Sequence, residues 1–102
     1  MSARRVRYHE GAVADVKSAV TWYREHSPKV ALDFIEELKR ALDTIRKTPK
    51  RWPEGANGTR RFLLWRFPFS IVYSEEDRVI MIWAVAHGSR KPEYWARRIR
   101  KM

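Results

Sequence analysis

The spacing of the apolar residues changes once along this chain, and the change restricts the fold more than any other feature. Between residues 12 and 45, apolar side chains recur every three or four positions, which predicts two amphipathic helices. From residue 60 onward the period is two, which predicts strands. A helical pair followed by consecutive strands is typical of an α+β domain, in which the helices cover one face of an antiparallel sheet.

Ser27 and Pro28 mark the boundary between the two predicted helices. The Ser27 hydroxyl can cap the second helix, and Pro28 suits its first position, where a missing N–H costs nothing. We therefore expect one helix from residue 12 to about residue 26 and a second that Pro49 closes. Because so few residues join them, the two helices must form an antiparallel hairpin.

Four strands and a terminal helix complete the prediction: residues 4–8, 60–67, 69–73, 79–86 and 92–100. Pro68 separates the second strand from the third. The fourth strand is almost continuously apolar, which predicts a strand covered on both faces. Trp95 and Ile99, four positions apart, anchor the basic terminal helix. The expected order is β-α-α-β-β-β-α, a helical hairpin packed on a small antiparallel sheet, in a single domain over residues 1–102.

The basic residues are concentrated in the second half of the chain. The formal net charge is +10, and fifteen arginines outnumber seven lysines. Residues 1–45 carry eight basic and seven acidic side chains, whereas residues 46–102 carry fourteen and five, a balance of +9. This arginine-rich half predicts a polyanionic partner: RNA, DNA, an acidic protein segment or an anionic surface.

The composition also excludes several kinds of site. Without cysteine there is no disulfide framework, thiolate nucleophile or cysteine zinc site. Three histidines without clustered carboxylates predict no metal site, and we expect no cofactor. No apolar run approaches the roughly 20 residues of a membrane-spanning helix, and no apolar block follows the basic first residues as in a secretory signal. We therefore expect a cytoplasmic protein with no membrane partner.

An ordered series of short motifs resembles one known family. The series consists of Trp22-Tyr23, Pro49 with Trp52-Pro53, Arg60-Arg61-Phe62, the run from Phe67 to Tyr73, and Ala84 to Gly88 followed by Arg90, Pro92 and Tyr94-Trp95. Over about residues 4–100 this series resembles the RelE/ParE superfamily of bacterial type II toxins, particularly its plasmid-stabilisation members.

The resemblance implies a growth-arresting toxin that a cognate antitoxin neutralises, in a complex that can be hetero-oligomeric. The basic half of the chain would suit an acidic, partly disordered antitoxin that folds on binding. The resemblance also implies one of two targets. RelE-like members cleave mRNA in the ribosomal decoding site, whereas ParE-like members inhibit DNA gyrase with no known hydrolytic chemistry. A third alternative is a degenerate toxin that acts only as an antitoxin-binding corepressor.

If the chain is a metal-independent ribonuclease, its catalytic candidates are Arg61, His87, Arg90 and Tyr94. Attack by a 2′-OH group needs a base, an acid and positive charge beside the phosphorane. A histidine is suited to either proton-transfer role near neutral pH. In the RelE pattern, however, a second-strand lysine falls on Leu63 and a third-strand arginine falls on Ser70. These departures slightly favour the ParE-like alternative.

If the chain acts by binding, the basic connector and terminal helix are the expected contacts. The candidate residues for a nucleic acid or protein partner are Arg51, Trp52, Arg60, Arg66, Arg97, Arg98 and Arg100. Trp52 is the aromatic residue we expect to be exposed for stacking. The strand aromatics are expected in the core: Trp65, Phe67, Phe69, Tyr73 and Trp83.

Overall fold

The computed structural model describes residues 4–100, and in that range the helices and strands follow the expected order. The elements are β1 (Arg5–Tyr8), α1 (Glu10–His26), α2 (Pro28–Lys47), β2 (Arg60–Leu63), β3 (Phe69–Glu76), β4 (Val79–His87) and α3 (Ala96–Arg100), with a 3-10 turn at Ala56–Gly58. The α+β architecture, a helical hairpin on a four-stranded sheet, is confirmed.

The sheet is mixed rather than purely antiparallel. Its strand order is β1-β4-β3-β2. β3 runs antiparallel to β2, and β4 runs antiparallel to β3, as the sequence predicts. β1 lies on the other side of β4 and runs parallel to it, with Tyr8 opposite Ile82 at the end of the pairing. The parallel pair forms because the helical hairpin carries the chain from β1 across one face of the sheet before β2 begins.

The helical hairpin covers the inner face of the sheet. Ser27 Oγ accepts the Val30 N–H at 3.3 Å, so the predicted cap at the start of α2 is present. α1 begins two residues before the expected position because His9 Nδ1 accepts the Gly11 N–H and caps it. Phe34 of α2 is fully buried in the inner core cluster, with the rings of Tyr23, Phe67 and Phe69 centred 5.2–5.4 Å away.

The C-terminal segment covers part of the outer face. Trp95 is buried there in a second core cluster with Val72, Trp83, Ala84 and Ala86, and Ile99 packs against it. The predicted anchors of the terminal helix are therefore confirmed. The helix itself begins at residue 96 rather than 92, because residues 92–95 form turns in which Glu93 has a φ of 59°. β4, with core residues on both faces, is the central strand that its apolar run predicts.

Two tryptophans differ from expectation. Trp52 is half-buried against Phe62, with ring centroids 4.8 Å apart, so it is not an exposed stacking platform. Trp65, expected in the core, is 90% exposed. The period of two ends at Leu63 because the following loop folds back on α2, where the Glu37 carboxylate accepts the main-chain N–H groups of Trp65 and Arg66. The other strand aromatics lie in the core as predicted.

Within residues 4–100, no helix combines the length and the apolar character needed to cross a bilayer.

Candidate functional site

A cleft of about 650 Å³ lies between α1 and the segment that follows β4. Its apolar wall comes from Trp22, Tyr23, Pro68, Phe69 and Val85, and its polar end from Asp15, His87, Ser89, Arg90 and Tyr94. Volume and lining of this kind are typical of ligand and peptide sites, in which a few polar groups orient a molecule held by apolar contacts.

The cleft forms beside the part of β4 that extends beyond its pairing with β1. The pairing with β1 ends at Ile82, so the last five residues of β4 have an open edge. Two side chains take the place of the missing strand. Asp15 accepts the Val85 N–H at 3.0 Å, and Arg98 Nη1 donates to the Trp83 carbonyl at 2.9 Å. Buried main-chain groups need such partners, so the edge is stabilised without a fifth strand.

The Asp15 carboxylate also fixes the C-terminal segment. It pairs with the Arg98 guanidinium at 2.9 Å and accepts the Tyr94 hydroxyl at 3.1 Å. Gly11 makes room for this pair, because a Cβ at that position would overlap the Arg98 guanidinium. Burial and the adjacent Asp15 charge raise the pKa of Tyr94 to about 12. The Tyr94 hydroxyl therefore keeps its proton near neutral pH.

His87 and Arg90 form the exposed rim of the cleft. His87 Nδ1 accepts the Ser89 N–H at 3.0 Å and lies 2.8 Å from Ser89 Oγ. Its ring stands edge-on to Phe69, with the centroids 5.0 Å apart. The Arg90 guanidinium stacks 3.8 Å above the Tyr94 ring, a cation–π contact. Because Nδ1 accepts a main-chain N–H, the proton of the neutral ring is on Nε2.

The structure brings three of the four catalytic candidates to this cleft and leaves Arg61 elsewhere. Arg61 is paired in register with Val72, which belongs to the outer core cluster, and its guanidinium contacts Ser70 Oγ at 3.4 Å. His87 is paired with Phe69 of the inner core cluster. Arg61 therefore projects from the opposite face of the sheet, with β3 between the two strands. Because β3 lies between them, the main chains of β2 and β4 are two interstrand spacings, about 10 Å, apart.

The candidate binding arginines fall into two groups. Arg60 contacts the Trp52 carbonyl and Glu54, Arg66 lies 3.5 Å from Asp33, and Arg98 belongs to the Asp15 pair. These three have roles within the fold, although Arg66 keeps half of its side-chain surface exposed. The second group consists of Arg51 and Arg97, which are both exposed. The Arg51 guanidinium lies over the Trp52 ring. The Arg100 side chain is outside the described residues.

Sequence reasoning missed two carboxylates, Asp15 and Glu37. Both occupy positions on the apolar stripe of their helices, next to Ala12 and Ala19 in α1 and to Phe34 and Ala41 in α2. Only 8% of Glu37 is exposed. An acidic residue at a core-facing position was the available signal, since such a group must find donors when it is buried.

Across residues 4–100, no cluster of three or more histidine, aspartate or glutamate side chains is arranged to hold a metal ion.

Comparisons with known proteins agree with this architecture. One chain in a solved structure of a chromosomal ParDE TA system from P. aeruginosa superimposes with a TM-score of 0.73 and 19% sequence identity, covering 82% of this chain and 95% of the other. No curated protein matches the chain. The family model described as the ParE toxin of the type II toxin–antitoxin system parDE matches residues 6–92. The chain belongs to this family of toxins, within the RelE/ParE superfamily that its motif series resembles.

Proposed function

We propose that this ParE toxin arrests bacterial growth by binding DNA gyrase in the cytoplasm, without cleaving a bond itself, and that its cognate antitoxin prevents this. The observation that carries the proposal is the separation of Arg61 from His87, which project from opposite faces of the sheet. A ribonuclease of this size without metal would need charge, base and acid around one phosphate.

The groups inside the cleft are also poorly disposed for proton transfer. Tyr94 donates its hydroxyl hydrogen to Asp15, and its pKa of about 12 keeps it protonated at neutral pH, so it does not serve as a base. The Arg90 guanidinium stacks on the Tyr94 ring, so it is not held apart from that ring to bind a phosphate. Among the described residues, the hydrogen bonds of the His87 ring are made by Nδ1, which leaves Nε2 as the one acid–base group of the cleft without such a contact. One acid–base group does not complete the chemistry.

Arg51 and Arg97 are the cations we assign to gyrase. Both are exposed, one in the connector and one in α3, and they belong to the strongly basic half of the chain. Exposed charge of this kind speeds association and orients partners more than it adds affinity. Arg98, beside Arg97, holds the Asp15 pair and is therefore a structural residue in this scheme.

Ribosome-dependent cleavage of mRNA is the second candidate function. One observation favours it, the meeting of His87, Arg90 and Tyr94 in a single open cleft. The two candidates differ in the first cellular process that fails after the toxin appears.

Pulse labelling during induced expression tests the proposal. We expect thymidine incorporation to fall within minutes while methionine incorporation continues. The matched variants are Arg51→Glu with Arg97→Glu, which should relieve the arrest, and Arg24→Glu, an exposed charge reversal on α1 that should not. An immediate fall in methionine incorporation would favour mRNA cleavage. If neither process slowed, the chain would be a toxin fold that acts only as a corepressor.

A further inference from the structure

We propose that the cleft between α1 and the segment after β4 binds a small amphipathic anion, whose apolar body lies on the aromatic wall and whose carboxylate lies at Arg90 and His87. The scheme for gyrase binding uses Arg51 and Arg97 and not this cleft, so the inference goes beyond the proposed function and does not depend on it. The ligand we infer is a free small molecule rather than a segment of a protein.

The apolar wall of the cleft is part of the inner core. Phe69 and Val85 are buried members of the inner core cluster, and Tyr23 packs against it with its ring centroid 6.4 Å from that of Phe69. Side chains in a close-packed interior are fixed by their neighbours, so they cannot move to fill the opening. A ligand therefore meets an apolar surface that is already formed.

Trp22 extends this wall toward solvent. It is 56% exposed, and its ring contacts two neighbouring rings: it stacks on His26 with the centroids 3.9 Å apart and meets Tyr23 edge-on at 5.3 Å. The His26 ring is itself held, because its Nδ1 lies 2.7 Å from the Trp22 carbonyl. An exposed indole that its neighbours already order offers a large apolar contact area, and little conformational entropy is lost when a ligand binds to it.

The charged groups that line the cleft leave one positive charge without a counter-ion. Asp15 is the acidic residue among the lining residues, and its carboxylate already holds Arg98 and Tyr94. Across residues 4–100, the Arg90 guanidinium makes no hydrogen bond or ion pair, and its one contact is the Tyr94 ring. Arg90 would repel a cation, and a neutral ligand would leave its N–H groups without a charged acceptor. The arrangement therefore favours an anion.

Arg90 and His87 present two donors at the polar end of the cleft. Stacking on Tyr94 uses one face of the Arg90 guanidinium and leaves its in-plane N–H groups for an acceptor beside the ring. The Arg90 main chain is held as well, because its N–H donates to the His87 carbonyl at 3.0 Å. Since His87 Nδ1 accepts the Ser89 N–H, Nε2 carries a hydrogen in both the neutral and the protonated ring. A guanidinium and an imidazole N–H suit the two oxygens of a carboxylate.

The size and lining of the cleft narrow the class of anion. A volume of about 650 Å³ is ordinary for a small-molecule site, and the polar residues lie at one end of it. The single unpaired guanidinium of Arg90 balances one negative charge. A nucleotide carries two charges on its phosphate and would place a polar ribose against the apolar wall. An aromatic or aliphatic carboxylic acid has one charge and an apolar body, and it therefore matches both parts of the cleft.

Titration of the whole toxin, free of antitoxin, with 2-naphthoate tests the proposal, and 2-naphthamide is the neutral ligand of the same shape. Calorimetry gives the affinities, and amide NMR spectra locate the site. We expect shifts at Trp22, Val85 and Ser89, and binding of the carboxylate at least tenfold tighter than that of the amide. Arg90→Gln should abolish most of this difference. Arg24→Gln removes the same charge from an exposed position outside the cleft and should preserve it.

Trp22→Ala provides an independent arm. It should weaken both ligands by the same factor, because it removes apolar contact area and no charge. The comparison of the two ligands uses the unaltered protein, so the proposal remains testable even if a variant does not fold. Unshifted cleft amides overturn it, and so does equal affinity for the carboxylate and the amide. Tighter binding of adenosine 5′-monophosphate than of 2-naphthoate would also overturn it, in favour of a nucleotide site. None of these results bears on gyrase, which the labelling experiment decides separately.

Discussion

Arg61 and His87 lie on opposite faces of one sheet, Arg61 against Ser70 on the outer face and His87 against Phe69 on the inner face. We therefore do not expect these two side chains to act together around one phosphate. We predict that His87→Ala and Arg90→Ala, made singly, leave growth arrest within about threefold of the unaltered toxin, because a toxin that acts by binding gyrase needs neither residue for a bond-breaking step. Viable counts after induction, normalised to toxin abundance, measure this. Loss of arrest in both variants at normal abundance would contradict the proposal.

Asp15 is predicted to stabilise the fold rather than to contact a partner. Asp15→Ala leaves the Val85 N–H and the Arg98 guanidinium without their main acceptor, at a cost of roughly 3 kcal/mol in the free energy of unfolding. Urea denaturation measures the change. The matched control is Asp43→Ala on α2, whose pair with Lys47 is exposed and should contribute less than about 1 kcal/mol. Equal effects of the two substitutions would show that the Asp15 network is unimportant.

Glu37 has an analogous role for the loop between β2 and β3. Glu37→Gln keeps the volume but leaves one acceptor oxygen in place of a carboxylate that receives the N–H groups of Trp65 and Arg66. We expect a loss of about 1–3 kcal/mol in stability and faster hydrogen exchange at both amides. Glu36→Gln, one position away and exposed, is the control. If exchange at Trp65 and Arg66 is unchanged, Glu37 does not hold the loop.

The raised pKa values of the tyrosines predict how the stability of the protein changes at alkaline pH. Burial raises the pKa of all four, to about 12 for Tyr73 and Tyr94. Unfolded tyrosine ionises near pH 10, so the stabilisation is complete below pH 10 and is lost as the pH rises through about 12. Absorbance at 295 nm should show less than half of the tyrosine ionised at pH 10 in the native protein, and about half in 8 M urea. Identical titrations in the two conditions would contradict the burial of these hydroxyls.

The local features of this fold can be predicted from the sequence. Ser27 and Pro28 define the helical hairpin because capping and the first helical turn depend on adjacent residues. The apolar run of β4 reveals a central strand because burial on both faces removes alternation. The parallel pairing of β1 with β4 could not be predicted, because it joins residues more than seventy positions apart in the sequence.

The site was harder to predict than the fold for the same reason. His87, Arg90 and Tyr94 are close in the sequence, and the structure keeps them close. Arg61 belongs to another strand, and its face depends on where the period of two begins and ends. The predicted core position of Trp65 is wrong because the alternation does not continue past Leu63. The carboxylate that ends it, Glu37, comes from a different element.

The most direct test of the account uses purified toxin with DNA gyrase and, in parallel, with translating ribosomes. We predict that the toxin inhibits supercoiling of relaxed plasmid, that Arg51→Glu with Arg97→Glu weakens the inhibition at least tenfold, and that ribosome-bound mRNA stays intact. Cleavage of that mRNA by a toxin that leaves supercoiling unaffected would contradict the account, and would make the cleft of His87, Arg90 and Tyr94 an active site.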